Sequence, residues 1–308
     1  MASIDLHFFP GWTRKSISFT IDDGNIAMDE KFLSIVKPSG IKGTFNLCTP
    51  LRSWMSDEEY RRFYRGFEIA NHCHRHPHPF TPRISPRVVT EPFCEETADK
   101  GCAYPTDEEG LYRIFQSTWN YYVATDEKYM DLTDTCTQEL KRVFGDDAIK
   151  DFVWPFGEQN NPVVMQALIE RGFRSIRATG DLKDSTGFSL PRDRMHWSYN
   201  AYHKTLLEIA ALYEAFPDDG ELKLFCFGVH SIDFERGENW GDLEAFCEQY
   251  GNRPDFFYAS MGDIFDYEDA LKEVEITETE VRNNSDIDLY IKIDGKKKIL
   301  CAHSAIRI

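Results

Sequence analysis

Apolar and polar residues alternate along the first strong element of the chain. Ile17, Phe19 and Ile21 stand against Ser16, Ser18 and Thr20, the period of a half-buried strand. The strand runs into two adjacent carboxylates, Asp22 and Asp23, and a turn glycine, Gly24. A short helix is predicted over 29–36, with Phe32, Leu33 and Val36 on one face, ended by Pro38 and Gly40. Residues 43–47 read as the next strand. Strand, turn, helix and strand in that order make a parallel unit. Asp22 and Asp23 are thereby placed at the carboxyl end of a parallel strand, where barrel and open-sheet enzymes build their sites.

The pattern continues in the same sense. Residues 56–65 read as a charged helix, with Ser56 and Glu59 at capping-box spacing. Over 107–144, Leu111, Ile114, Phe115, Thr118, Trp119 and Tyr122 recur at helical spacing and predict long amphipathic helices. Residues 151–157 read as a strand ending in a turn, followed by a helix with Asn161 as cap, Pro162 at its first position and Gly172 at its close. A strand around 174–177 and a helix over 203–216 come next. The apolar run 222–229 suits a strand buried on both faces and ends at His230. A helix over 242–250, a strand over 256–260 and a helix over 263–272 complete an α/β barrel. From Val274 short alternating runs take over, with Asp294-Gly295 as a hairpin signal. The expected organisation is a barrel over 1–272, with an insertion around 78–150, and a small β appendage over 273–308, packed on the barrel or against a partner subunit as an oligomer contact.

Composition narrows the function. The chain has 308 residues, 42% hydrophobic and 14% aromatic, enough for a sizeable core. Its net charge of −17 argues against nucleic acid or an anionic membrane as partner. No apolar run reaches membrane-spanning length, and the first residues lack the basic start and apolar core of a signal peptide. A cytoplasmic location is expected, unless a leader has been removed. Eight cysteines in a chain this long do not make a disulfide scaffold. Cys94 and Cys102 are near enough in sequence to pair, but free thiols are expected.

The densest chemistry lies in 71–78, Asn-His-Cys-His-Arg-His-Pro-His. Histidine is the commonest neutral metal ligand. His72 and His76 share a face in a helical turn, whereas His72, His74, His76 and His78 share one in a strand. Spacing alone leaves the ligand pair open, and Cys73 is a further donor. A solvated polar turn is the alternative, as is a plain surface turn for Asp-Asp-Gly.

Thr20-Ile21-Asp22-Asp23-Gly24 resembles the first motif of the polysaccharide deacetylases, the NodB-homology domain of carbohydrate esterase family four. Asn71-His72 followed after three residues by His76-Pro77 resembles the second. The resemblance implies a distorted (β/α) barrel, Asp22 as catalytic base, and Asp23, His72 and His76 as ligands of a divalent metal, usually Zn2+. His74 and His78 have no counterpart and are expected to face solvent. Asp151 to Gly157 resembles the third motif with two departures: Val153 stands where an arginine orients the base, and Phe156 where a tyrosine offers its backbone N–H to the reacting oxygen. A backbone donor survives a side-chain change. For the missing cation Arg174 and Arg177 are candidates, and Arg177, nearer the strand end, is preferred. The fourth motif has no clean match among Asp181, Asp184, Asp193 and Trp197; Trp197 is placed at the acetyl pocket, with a core role as the alternative. His230 resembles the general acid of the fifth motif, with Asp233 to orient it. The implied activity is deacetylation of an acetylated saccharide. Hydrolysis of a non-sugar linear amide on the same fold, and a silent carbohydrate-binding relative, are the alternatives.

Overall fold

A parallel strand flanked by neighbours on both edges must bury both faces, and the central strand here does so. The computed structural model describes residues 2–81, 84–115, 120–179 and 187–308. After a short strand β1 (Ile4–Asp5), β2 (Lys15–Asp23) leads through α1 (Ile26–Val36) to β3 (Thr44–Thr49), and α2 (Asp57–Phe63) leads to β4 (Glu68–His74). The predicted capping box of Ser56 and Glu59 is present, satisfying the first amides of α2. Ile17, Phe19 and Ile21 are buried, as the alternation predicts. Ser16, Ser18, Thr20 and Asp22 are buried too. The strand is therefore fully buried rather than half-buried. Its polar face looks into the barrel, where Ser16 donates to the Lys223 carbonyl and Asn46 donates to Thr20.

The insertion after β4 is β-structure. It comprises β5 (His78–Pro79), β6 (Arg87–Val88), β7 (Cys102–Pro105), β8 (Leu111–Phe115) and β9 (Asn120–Ala124), in the order β5-β9-β8-β7-β6. Only then does α3 (Asp126–Phe144) begin, capped by Thr125. The expected helices over 107–125 are absent from the described part of that stretch; Thr118 and Trp119 lie outside the described residues. Leu111 and Ile114 are the buried residues of β8, one on each of its faces, and Tyr122 belongs to β9. Helical spacing of apolar residues coincided there with strand positions rich in Tyr, Phe and Ile, residues that favour strands.

The barrel resumes with β10 (Asp151–Val153), α4 (Pro162–Glu170), β11 (Ser175–Arg177), α5 (Leu206–Ala215), β12 (Lys223–His230), α6 (Ser231–Arg236), α7 (Trp240–Tyr250), β13 (Phe256–Tyr258) and α8 (Met261–Lys272). The main sheet runs β11-β10-β4-β3-β2-β12, all parallel. β13 pairs with the first half of β2, and β3 with its second half. The gap between β11 and β12 is bridged by the irregular segment 194–201. Ile176 donates to the Arg194 carbonyl and Ala178 to that of Trp197 on one side, while Asn200 donates to Cys226 and Gly228 to Ala201 on the other. This closes a distorted (β/α) barrel.

The core is aromatic, with Phe19 packed edge-on against Phe32 and Phe45. At the amino-terminal end of the strands Arg174 pairs with Glu68, Asp151 and Asp266. The remaining chain forms β14 (Val274–Ile276), β15 (Glu280–Asn283), β16 (Leu289–Ile293), β17 (Lys296–Leu300) and β18 (Ala305–Arg307). β1 joins β16 and β17, whose Leu289, Ile291 and Leu300 share a core with Ile264 and Phe265 of α8. The β16–β17 turn is Asp294-Gly295, both at positive φ, as this two-residue hairpin requires. All eight cysteines are free. Among the described residues no helix is long and apolar enough to cross a membrane.

Candidate active site

Adjacent parallel strands bring their carboxyl ends to one level, so the side chains there meet although their positions are far apart in sequence. Asp22 lies opposite Asn46 on β3 and His230 on β12. Val153 lies opposite Arg177.

Three donors converge at this level. The Nε2 atoms of His72 and His76 are 3.2 Å apart, and each is 3.5 Å from Oδ1 of Asp23. A tetrahedral ion with bonds of about 2.0–2.1 Å holds its ligands about 3.3–3.4 Å apart, so this spacing fits one. The buried His72 donates from Nδ1 to the Val153 carbonyl at 2.9 Å. That bond fixes the tautomer and leaves Nε2 as a lone-pair donor. Burial, helped by His72, lowers the His76 pKa to about 3, keeping the ring neutral. Burial opposes the charge on Asp23, but His72, His76 and His230 outweigh it and hold the carboxyl below the usual range. Asp23 has a positive φ, as do Cys73, Arg75 and His76; these turns aim the donors back over the strand ends.

Cys48 is a neighbour the sequence did not single out. Its sulfur lies with the three donors, all four ligand atoms within 4.8 Å of one another, and it donates to the His72 carbonyl at 3.1 Å. Cys73, the thiol that was considered, instead sits beside Thr133 of α3.

Asp22 is buried and accepts from Arg177 Nη2 and, at 2.6 Å, from Asn46. Burial raises its pKa, but the guanidinium, with His72 and His230, more than offsets this and keeps it low. Arg177 thus stands on β11 at the same height as Val153 on β10, a cation moved sideways by one strand. Arg174, the other candidate, is committed to the network at the far end of the barrel. Asn46, a polar residue inside an apolar strand, was a legible signal that was missed.

His230 Nε2 faces Asp23 at 3.8 Å, and its Nδ1 meets Asp233 at 2.8 Å. Burial alone would lower its pKa; Asp233, Asp22 and Asp23 together raise it to about 9. Phe156 sits beside the donors, its ring 4.4 Å from that of His76. Among the described residues its backbone N–H has no acceptor. His78 does not face solvent as expected: its ring stacks on Phe156 at 3.7 Å, and His74 bonds Thr49 at 2.7 Å. Trp197 is buried against Phe265 and lines the barrel interior with Glu68, Asp151 and Ser175, at the amino-terminal side of Arg177. It takes the core role rather than a place open to the donors. Asp181 and Asp184 lie outside the described residues, and Asp193 caps a local turn with His196.

A cavity of 220 Å³ adjoins the donors, lined by Asp23, Leu47, Cys48, Leu51 and Tyr64. A larger one of 620 Å³, with Ser189, Glu221 and Leu222 in its wall, lies at the opposite end of the strands, remote from this chemistry.

A parallel barrel that brings a carboxylate beside two histidines and a second carboxylate offers a donor set able to hold a divalent metal. Residues 11–176 match the family model described as polysaccharide deacetylase, and the chain belongs to that family. Among solved structures, a Mycobacterium smegmatis protein assigned as a polysaccharide deacetylase is 16% identical with a TM-score of 0.51, covering 89% of this chain and 97% of its own. The Xyl-CE4 domain of a multidomain xylanase from the hindgut metagenome of Trinervitermes trinervoides is 15% identical (TM-score 0.46, 83% and 92% covered). A family 4 carbohydrate esterase from Bacillus anthracis is 16% identical (TM-score 0.44, 81% and 82%). At such identity the first of these speaks for the fold alone. Comparison with curated proteins returns no match.

Proposed function

We propose that the chain is a metal-dependent deacetylase that removes acetyl groups from an acetylated saccharide. The observation carrying this reading is the convergence of Asp23, His72 and His76 at ligand spacing beside the Asp22–Arg177 pair and His230. Two imidazoles and one carboxylate suit Zn2+. When bound, the metal supplies a Lewis acid that acidifies water and polarises the acyl carbonyl.

The protein's own groups do the rest. Asp22, kept ionised by Arg177, accepts the proton of the attacking water. The backbone N–H of Phe156 donates to the carbonyl oxygen as it gains charge. His230, held protonated by Asp233, donates its proton to the departing nitrogen or oxygen. The products are acetate and a free amine or hydroxyl.

The test pairs metal content with acetate release from acetylated chito-oligosaccharides, on the wild type and on Asp22→Asn. About one zinc per chain, with release lost in the variant, supports the class and the base. A protein that takes up no zinc when it is supplied would overturn the donor assignment and the reading with it.

A further inference from the structure

Between Lys223 and His230 the residues of β12 are apolar, and one of them has no side chain. A Cβ built on Gly228 would fall 2.0 Å and 2.4 Å from ring carbons of Tyr199, closer than real Cβ contacts come. The glycine is therefore the space in which the Tyr199 ring lies. Gly228 is two residues before His230, so both point to one face of the strand, and they lie opposite Thr20 and Asp22 on β2. Tyr199 comes from 194–201, the segment that bridges the barrel between β11 and β12. It thus enters the barrel interior one layer beneath the reacting groups.

The ring then meets Arg177. The guanidinium carbon lies 5.3 Å from the ring centroid, within the range of a cation–π contact. Arg177 spends Nη2 on Asp22, while among the described residues its buried Nε and Nη1 have no hydrogen-bond partner. One hydrogen bond to Asp22 leaves a planar cation free to turn about it. The aromatic face restrains that turn.

We infer that Tyr199 is a positioning residue that braces the Arg177 guanidinium against Asp22, and that Gly228 provides the space its ring occupies. The inference rests on the deacetylase reading, because it is through the Asp22 base that the brace affects turnover. It would also explain why β11 can supply the orienting cation when β10 carries Val153: the arginine has a second wall on its far side.

The experiment uses Tyr199→Phe, Tyr199→Ala, Gly228→Ala and the Tyr199→Ala/Gly228→Ala double variant, each zinc-loaded, with acetate release and zinc content measured. Tyr199→Ala is expected to lose roughly 10- to 100-fold in kcat, with KM within about threefold and zinc unchanged. Tyr199→Phe, which keeps the ring, recovers most of that loss. Gly228→Ala displaces the ring and matches Tyr199→Ala, and the double variant is no worse than either. Wild-type kcat in Tyr199→Ala overturns the inference, as does a Tyr199→Phe variant as slow as Tyr199→Ala, or a change in KM alone. A second cycle needs no substrate: Tyr199→Ala and Arg177→Met, singly and together, in urea unfolding. Effects on the unfolding constant that multiply independently overturn the brace; a coupling of about fivefold or more upholds it. Should the wild type release no acetate, the deacetylase reading fails, and this cycle still decides the brace.

Discussion

Arg177→Met removes a buried cation from a buried anion, and the structure gives its cost. The two side chains are 1% and 10% exposed, so the pair is not a surface salt bridge, for which the cost is about 0–1 kcal/mol. Removing one partner of a buried pair leaves the other uncompensated, at about 3–5 kcal/mol. A domain with about 5–15 kcal/mol in total loses a large share of it. The assay is urea unfolding of the wild type, Asp22→Asn, Arg177→Met and the double variant. At pH 7 the double variant is expected to be more stable than the sum of the singles, by about 1–3 kcal/mol, since no lone charge remains. The pH sign follows from the depressed Asp22 pKa. Its contribution is present above the ordinary carboxylate pKa and is lost as pH falls through the folded one. The gap between wild type and Arg177→Met therefore narrows in acid. An additive cycle, with Arg177→Met costing no more than about 1 kcal/mol, would refute the claim that the two charges form one buried unit.

Other perturbations give separate checks. Asp29, buried between the hydroxyls of Tyr64 and Ser231, has its pKa raised by burial to about 6; its stabilising share is complete below the unfolded carboxylate pKa and is lost as pH rises through 6. Over that window the wild type should lose about 3 kcal/mol relative to Asp29→Asn, and parallel stability–pH curves would contradict it. Asp233→Asn withdraws the main support of the raised His230 pKa, so the alkaline limb of kcat/KM should move to lower pH; an unmoved limb removes His230 as the acid. Zinc at about a hundred times its Kd should stabilise the wild type by about 2.7 kcal/mol and do nothing for His76→Ala, as read by thermal unfolding with and without a chelator.

The reach of the sequence follows from where each signal resides. Strand-end residues carry both their neighbours and their role in one short stretch. Asp22-Asp23-Gly24 follows an alternating run, and His230 follows an apolar one; a parallel sheet then has only one end at which to put them. The meeting of Asp22 with His230 across β2 and β12 needed only that both strands be parallel. Arg177 was reachable by the same argument, because it ends the strand after the one where the cation was missing. Helix ends were legible for the same local reason: Ser56 and Asn161 announce their caps within three residues.

What escaped was decided by contacts remote in sequence. The apolar residues between Leu111 and Tyr122 fit a helical period, but pairing of β8 with β7 and β9 overrode it. Trp197 and Tyr199 stand two residues apart in a segment without a pattern of its own, since it takes its hydrogen bonds from β11 and β12 rather than from itself. Which aromatic packs on Phe265 and which on Arg177 depends on that bridging geometry. The one trace in the sequence is Gly228, an isolated glycine in a strand, which signals a close approach without saying by what. The polar face of β2 makes the same point. Serine and threonine read as a wet surface, yet in a closed barrel that face is interior, and there it supports Asn46 and, through it, the carboxylate of Asp22. The alternation that marks a half-exposed strand in an open sheet marks, once the barrel closes, the polar lining beneath the proposed base.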